Sequence, residues 1–300
     1  MASIFRGTDL RTGRPVAIKV PHPEMECDPA FFDRFRREQE IGQKLDHPNV
    51  MKVFSEDGHS RIYMVMEWVD GRLLRGLLNE QGKLSPERAS RIAIMICDAL
   101  EYIHNHGVVH RDLKPENIMI DAHDDIKLID FGIAASIGSR RLTFAKFTHT
   151  MGTPDYISPE QVKGKRGDAR SDIYSLGVML YEMVTGKVPF TGPNPFIIMN
   201  DRLLNHPVPP REIDPAISPQ LQEIIYRALE RDPKNRYAKA REFAWDLEHQ
   251  DHVGVADRPE LREWKHRRSP WPRRILFYLG LALIPVVIFI LLLYVARHSR

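Results

Sequence analysis

Cysteine is scarce in this sequence, and nothing suggests that the two cysteines pair or bind metal. Cys27 and Cys97 are the only cysteines in 300 residues, and neither belongs to a CxxC motif. A disulfide framework and a thiolate metal site are therefore not indicated. The 13 histidines include no HExxH spacing, so we expect no structural metal.

A strong excess of one charge is also missing. The 43 lysines and arginines nearly balance the 40 aspartates and glutamates, which leaves a formal net charge of +3. Nucleic-acid binding has little support, because it usually requires a pronounced basic patch. We also expect no signal peptide at the N-terminus. The apolar fraction of 43% and the charged fraction of 28% are typical of a globular protein.

One long segment lacks charge altogether. Residues 275–296 read ILFYLGLALIPVVIFILLLYVA, which at about 1.5 Å per residue would span a bilayer core of roughly 30 Å. The absence of a polar face argues against a buried soluble helix. Five basic residues precede this segment, and only two follow it: Lys265, Arg267, Arg268, Arg273 and Arg274 before, Arg297 and Arg300 after. We therefore predict a single-pass, C-terminal membrane anchor that contacts lipid, with the preceding residues in the cytoplasm.

The rest of the chain predicts two parts and a tether. Residues 1–70 contain a hairpin, formed by 4–7 and 16–20, and a charged helix near 31–44. Residues 71–250 are mostly helical: Ser85 and Pro86 begin a helix that ends before Gly107, and further helical stretches are predicted around 172–185, 219–231 and 240–249. Residues 251–274 then form a basic juxtamembrane linker, and 297–300 a short tail.

Several motifs occur in a fixed order along the chain. VAIK lies at 16–19, HRDLKPEN at 110–117, DFG at 130–132 and GTPDYISPE at 152–160. These segments resemble the protein kinase family over nearly all of residues 1–250. The segment DARSDIYSLGVMLYEMVTGKVPFTG is similar to bacterial membrane-bound, eukaryotic-like serine/threonine kinases. The resemblance implies an α+β, two-lobed kinase fold with a small β-rich N-lobe (1–70) and a larger helical C-lobe (71–250).

The resemblance also assigns the groups that would perform phosphate transfer. Asp112 would accept or orient the proton of the substrate hydroxyl, and Lys114 would steady the γ-phosphate, as in kinases that act on serine and threonine. Asn117 and Asp130 would hold Mg²⁺, or Mn²⁺ in its place, because oxygen ligands suit these cations. Lys19 would hold the α- and β-phosphates of ATP, and Glu38 would pair with Lys19.

The adenine of ATP would lie between the two lobes. The resemblance makes Met66 the gatekeeper and turns the backbone of Glu67 and Val69 toward the base. The base would be sandwiched by further apolar side chains, those of Ala17, Met119 and Ile4.

Control and architecture involve other motif residues. Arg111 would bind a phosphate on the activation segment, at Thr148 or Thr150. The remaining assignments concern structure: Thr153 would contact the catalytic loop, Glu160 would pair with Arg236, and Asp172 would brace the catalytic loop backbone.

The resulting hypothesis is a serine/threonine protein kinase that uses ATP in membrane-associated signalling. Its partners would be proteins with phosphorylatable serine or threonine, and a homodimer would allow autophosphorylation in trans. A membrane-anchored pseudokinase or scaffold is the first alternative, and the retained Lys19, Asp112, Asn117 and Asp130 argue against it. A small-molecule phosphotransferase of kinase-like fold is the second, and GTPDYISPE, which would bind a protein substrate, argues against it.

The family's glycine-rich loop and its first strand should precede Ile4. Residues 1–5 resemble only the second half of that loop. We expect a start site assigned too far downstream, with an open reading frame continuing upstream. A true truncation would favour the pseudokinase.

Overall fold

A computed structural model describes residues 2–22, 24, 29–54, 62–130 and 154–256. The chain divides into two units, Met1–Val255 and Ala256–Arg300. Among the described residues, no helix is both long and apolar enough to cross a membrane. The segment 275–296 lies outside them, so the membrane anchor stays a prediction.

A four-stranded antiparallel sheet forms the first part of the chain. Its strands are β1 (Ala2–Thr8), β2 (Pro15–Pro21), β3 (Val53–Phe54) and β4 (Met64–Glu67), in the order β1-β2-β4-β3. The predicted hairpin is present, because β1 pairs with β2 and Ile4 lies opposite Lys19. In the turn between these strands, the Asp9 carboxylate accepts hydrogen bonds from the backbone N–H of Arg11 and the hydroxyl of Thr12. This local closure sets the register of the strand that carries Lys19.

A helix packs against this sheet. Helix α1 (Pro29–Gly42) buries Phe35 in a small apolar cluster with Met51, Val53 and Met64. Glu38 lies on the same helix, three residues after Phe35. Burial of Phe35 therefore fixes the face of α1 from which Glu38 reaches the sheet.

A second, smaller sheet holds the motif residues of the other part. Its strands are β5 (Arg72–Leu73), β6 (Ile118–Ile120) and β7 (Ile126–Leu128), paired in that order. Ile118 pairs with Leu128, so Asn117 and Ile129 meet at one end of the β6–β7 hairpin. The backbone N–H of Ile129 donates to the carbonyl of Asn117 at 2.9 Å. This hairpin brings the HRDLKPEN and DFG motifs together.

Two long helices form the centre of the larger part. Helix α3 (Pro86–Asn105) begins at the predicted Ser85 cap, whose hydroxyl accepts from the Arg88 N–H at 3.3 Å. Helix α5 (Ala169–Thr185) is buried on nearly all sides. A Cβ added at Gly177 of α5 would lie 2.7 Å from the Cβ of Ala228. Glycine at this position therefore permits the close contact between α5 and a neighbouring helix.

The remaining helices surround α3 and α5. They are α2 (Leu74–Gln81), α4 (Pro159–Val162), α6 (Pro195–Leu204), α7 (Pro210–Ile213), α8 (Pro219–Ala228) and α9 (Ala240–Glu248). Prolines at the first helical turn recur here, which explains the many sharp helix starts. The two-lobed α+β architecture expected from the sequence is present.

Candidate active site

Three charged side chains, from strand β2, helix α1 and the segment after β7, meet at the large sheet. The Lys19 ammonium of β2 donates to Glu38 Oε1 at 2.9 Å and to Asp130 Oδ1 at 2.6 Å. Lys19 and Glu38 are largely shielded from water, whereas Asp130 keeps 46% of its side-chain surface exposed. The ammonium is thus fixed by a shielded carboxylate while a second carboxylate stays open to solvent.

Burial and charge act against each other in this cluster. Burial disfavours the ammonium of Lys19, but the carboxylates of Glu38 and Asp130 outweigh it and raise the pKa of Lys19. Burial also raises the pKa of Glu38, with Asp130 adding to the effect and Lys19 opposing it. Lys19 is therefore a cation at neutral pH.

The backbone of the HRDLKPEN segment is held by Asp172 of α5. This fully buried carboxylate accepts from the N–H of His110 at 2.9 Å and from the N–H of Arg111 at 2.7 Å. The His104 ring nitrogen Nε2 lies 2.7 Å from the same carboxylate. Arg111 has a φ of +64°, which is uncommon outside glycine. The two hydrogen bonds to Asp172 stabilise this unfavourable backbone conformation.

Asp112, Lys114 and Asn117 form a hydrogen-bonded group within this segment. Lys114 Nζ donates to Asp112 Oδ2 at 2.7 Å, and Asn117 Nδ2 donates to the Asp112 carbonyl at 2.7 Å. The Asp112 side chain is 55% exposed, so its carboxylate is accessible from solvent. Because the amide nitrogen of Asn117 is used by the loop, its amide oxygen is the atom that could ligate a cation.

The segment 155–160, which we call the platform segment, ends in a buried ion pair. Both terminal nitrogens of Arg236 donate to the carboxylate of Glu160 at 2.8 Å, and the Ser171 hydroxyl donates to it at 2.6 Å. Burial opposes the charge on Glu160, but the bonds from Arg236 prevail and lower the pKa of Glu160. The platform segment is thereby fixed to the larger lobe.

Apolar residues line the expected adenine side of the site. Ala17 and Met66 face each other across β2 and β4, and Val69 and Met119 pack against the same cluster. Ile4 lies on the neighbouring strand and is 60% exposed.

The side chain of Glu67 is occupied at the end of β4. Its carboxylate accepts from Lys127 Nζ and from the Lys52 N–H, both at 2.8 Å. The bond from Lys127 joins β4 to β7, the strand that leads to Asp130.

Comparison with known families identifies this arrangement. The family profile described as the protein kinase domain matches residues 1–246. The chain belongs to the protein kinase family.

The curated relatives that are similar in sequence include bacterial serine/threonine kinases, the group expected from the sequence. A probable serine/threonine-protein kinase of Streptomyces coelicolor is 42% identical over 83% of this chain and 38% of the relative. Serine/threonine-protein kinase PknB of Mycolicibacterium smegmatis is 38% identical over 90% of this chain and 44% of the relative. The chain thus spans about two fifths of the length of these relatives.

A solved kinase structure has a similar fold. The crystal structure of Rad53 1-466 in complex with AMP-PNP matches with a TM-score of 0.66 and 29% identity. The match covers 81% of this chain and 60% of the Rad53 chain.

Some predicted kinase residues lie outside the described part of the chain. These are Thr148, Thr150 and Thr153, together with Phe131 and Gly132 of the DFG motif. Arg111 is described: its Nε donates to the Gly167 carbonyl at 3.3 Å. Burial lowers the pKa of Arg111, and the charge of Arg166 adds to this effect.

Sequence reasoning missed Arg75 of α2. Its Nε donates to Glu116 Oε1 at 2.9 Å, its Nη1 donates to Glu182 Oε1 at 2.8 Å, and it also contacts the hydroxyl of Tyr156. Arg75 therefore connects the HRDLKPEN segment, helix α5 and the platform segment. No local motif marks this arginine, because its partners are distant in the sequence.

Proposed function

We propose that this kinase transfers the γ-phosphate of ATP to serine or threonine hydroxyls of protein substrates. The supporting observation is that the Lys19–Glu38–Asp130 cluster and the Asp112–Lys114–Asn117 group belong to one continuous site. The hydrogen bond from the Ile129 N–H to the Asn117 carbonyl, 2.9 Å long, connects the two groups.

Each group has a separate part in the reaction. Lys19, held by Glu38, binds nucleotide phosphates through its ammonium. The substrate hydroxyl oxygen bonds to the γ-phosphorus while the bond to the bridging oxygen of the departing ADP breaks. Asp112 takes the hydroxyl proton, and Lys114 stabilises negative charge on the γ-phosphate.

A divalent cation fits the residues present. Asn117 and Asp130 offer an amide oxygen and a carboxylate, which are suitable ligands for Mg²⁺ and Mn²⁺. In the described ranges, no group of three His, Cys, Asp or Glu side chains could hold a metal ion. Because protein-bound Mg²⁺ usually has only one or two carboxylate ligands, phosphate oxygens and water would complete its coordination, and the ion would neutralise charge on the phosphates.

The proposal also covers how the kinase is activated and where in the cell it is held. Phosphate on Thr148 or Thr150 would bind Arg111, and a homodimer would supply it by autophosphorylation in trans. The anchor at 275–296 would place the kinase domain at the cytoplasmic face of a membrane. Support for the anchor comes from the sequence, through the uncharged segment and its basic flank.

Separating nucleotide binding from phosphate transfer tests the proposed roles. Asp130→Asn removes a cation ligand, so we expect weaker Mg²⁺-dependent ATP binding. Asp112→Asn leaves that ligand in place, so we expect nearly normal ATP binding but about 10²- to 10⁴-fold slower transfer. Binding is measured with a fluorescent ATP analogue across a Mg²⁺ titration, using the full chain in detergent.

Asp125→Asn provides the matched control. Asp125 is an exposed aspartate in the β6–β7 hairpin, and this substitution should change neither binding nor transfer. Equal ATP affinity of Asp130→Asn and the unsubstituted chain at every Mg²⁺ concentration would exclude Asp130 as a cation ligand.

A further inference from the structure

The platform segment is anchored at both ends by arginines. Arg236 binds the carboxylate of Glu160 at its end, as described above. At its start, Arg202 Nη2 of α6 donates to the Asp155 carbonyl at 2.5 Å. Because Arg202 binds the backbone of residue 155, this contact does not require a particular side chain at that position.

Arg202 is an unusual arginine because it is fully buried. Its exposed fraction is 0%, and its Cζ lies 5.7 Å from the ring centroid of Phe190. Burial lowers the pKa of Arg202, while Tyr174 and Asp155 oppose the change. A buried guanidinium is costly unless its hydrogen bonds are made, so loss of this geometry would be unfavourable.

Tyr174 contacts both of the arginines that hold the platform segment, Arg202 and Arg236. This buried tyrosine of α5 is hydrogen-bonded to Arg202, and the Cζ of Arg236 lies 4.8 Å from the centroid of its ring. Helix α5 also carries Asp172, which holds the backbone of the HRDLKPEN segment at 2.7 and 2.9 Å. One helix therefore fixes both the platform segment and the segment that contains Asp112.

We propose that Arg202 is a positioning residue for the protein substrate: it fixes the start of the platform segment relative to Asp112. This inference rests on the proposed kinase function, in which the platform segment binds the substrate chain. Arg202 does not touch the reacting atoms; it acts through the carbonyl of Asp155 and through Tyr174. A displaced platform would misplace the substrate hydroxyl, whereas the Lys19–Glu38–Asp130 cluster would keep its geometry.

Substitution of Arg202 in the full chain tests the proposal, with dephosphorylated casein as the protein probe. Arg202→Met removes the hydrogen bonds to the Asp155 carbonyl and to Tyr174 and keeps most of the side-chain volume. We expect kcat/KM for casein to fall about 10- to 100-fold, mainly through KM, while KM for ATP and casein-independent ATP hydrolysis stay at the wild-type values. Arg202→Lys keeps the charge and one donor group, so part of the loss should be recovered.

Arg231→Met is the matched control. Arg231 also binds the backbone of α6, donating to the Leu204 carbonyl at 2.8 Å, but the partners of its side chain, Leu203, Leu204 and His206, lie outside the platform segment. Its substitution should leave the KM for casein unchanged. If Arg202→Met leaves that KM unchanged, or lowers ATP hydrolysis in step with casein phosphorylation, the positioning role is wrong.

Hydrogen exchange gives a readout that does not depend on activity. We expect faster exchange of the backbone amides of 156–162 in Arg202→Met, with unchanged exchange at 110–117. Unchanged exchange at 156–162 would contradict the proposal.

Failure of the unsubstituted chain to label casein would refute the proposed function instead of the positioning role. The exchange experiment would then still test whether Arg202 holds the platform segment. If Arg202→Met does not fold, Tyr174→Phe removes only the bond to the hydroxyl and should produce a smaller change of the same kind.

Discussion

Glu38 and Asp130 both accept a hydrogen bond from the Lys19 ammonium, but their side chains differ in exposure. Glu38 is the shielded partner of Lys19, and Asp130 is the open one. Asp130 also has a φ of +51°, which is uncommon for a residue other than glycine. Backbone strain at an exposed carboxylate beside a fixed ammonium is typical of a functional site.

The buried pair of Glu160 and Arg236 predicts acid sensitivity. Glu160 has a pKa below its ordinary value of 4.5, so it stabilises the fold above that pH, and the contribution is lost as the pH falls below 4.5. We expect Glu160→Gln to lower the free energy of unfolding at pH 7 by about 3–5 kcal/mol, because Arg236 loses its buried partner. The substituted chain should then lose less stability than the unsubstituted chain between pH 5 and pH 3.

Urea unfolding of the full chain, followed by tryptophan fluorescence, measures both effects. Glu40→Gln is the control, since Glu40 pairs with Arg36 at 3.9 Å and both side chains are 61% exposed. This exposed pair should contribute less than about 1 kcal/mol. Equal losses in the two variants would contradict the buried-pair interpretation.

The charged motif residues could be predicted from the sequence, but several of their partners could not. The sequence indicates Glu38, Asp172 and Arg236 because the resemblance to the kinase family assigns a role to each of these positions. Arg75 and Glu182 are 107 residues apart, and Arg202 and Asp155 are 47 apart, with no motif that includes both members of either pair. Such contacts depend on how helices pack, which local sequence patterns do not specify.

At the scale of elements, helix α5 organises the larger lobe. It carries Asp172, Tyr174 and Glu182, which contact three different parts of the site. Its packing against α8 depends on Gly177, because a side chain there would meet Ala228. The position of the site residues is therefore sensitive to the separation of these two helices.

Alanine substitution at two glycines tests this dependence. Gly177→Ala should destabilise the chain by about 1–3 kcal/mol through overpacking, since its Cβ would lie 2.7 Å from that of Ala228. Gly76→Ala in α2 is the matched control, because no heavy atom lies within 4 Å of its added Cβ. We expect Gly76→Ala to raise the stability by about 0.5–1 kcal/mol. Thermal unfolding that ranks the two variants in the opposite order would contradict the packing.

Element boundaries were predicted closely where caps and prolines mark them. Helix α3 starts at Pro86 after its Ser85 cap, as expected from the sequence. Helix α5 begins at Ala169 rather than at 172, because Asp168 caps it by accepting from the Arg170 N–H. The predicted helix 219–231 ends at Ala228, before the Asp232-Pro233 turn.

At the scale of the whole molecule, the predicted anchor would fix the kinase domain to a membrane. Leu283 and Ile288 lie near the centre of 275–296, where each arginine would cost about 2.5–3.5 kcal/mol. We expect a Leu283→Arg/Ile288→Arg double variant to lose membrane association, and a Leu283→Ala/Ile288→Ala control to keep it. Carbonate extraction of membranes from expressing cells measures this. Release of the unsubstituted chain into the soluble fraction would refute the anchor.

Phosphoamino acid analysis after labelling with γ-³²P-ATP tests the central claim, serine/threonine kinase activity, most directly. The full chain is incubated with Mg²⁺ and casein, and the labelled casein is hydrolysed in acid. We predict phosphoserine or phosphothreonine without phosphotyrosine, and about 10²- to 10⁴-fold less label with Asp112→Asn. No label from the unsubstituted chain, or equal labelling by the unsubstituted chain and Asp112→Asn, would contradict the assignment of this site.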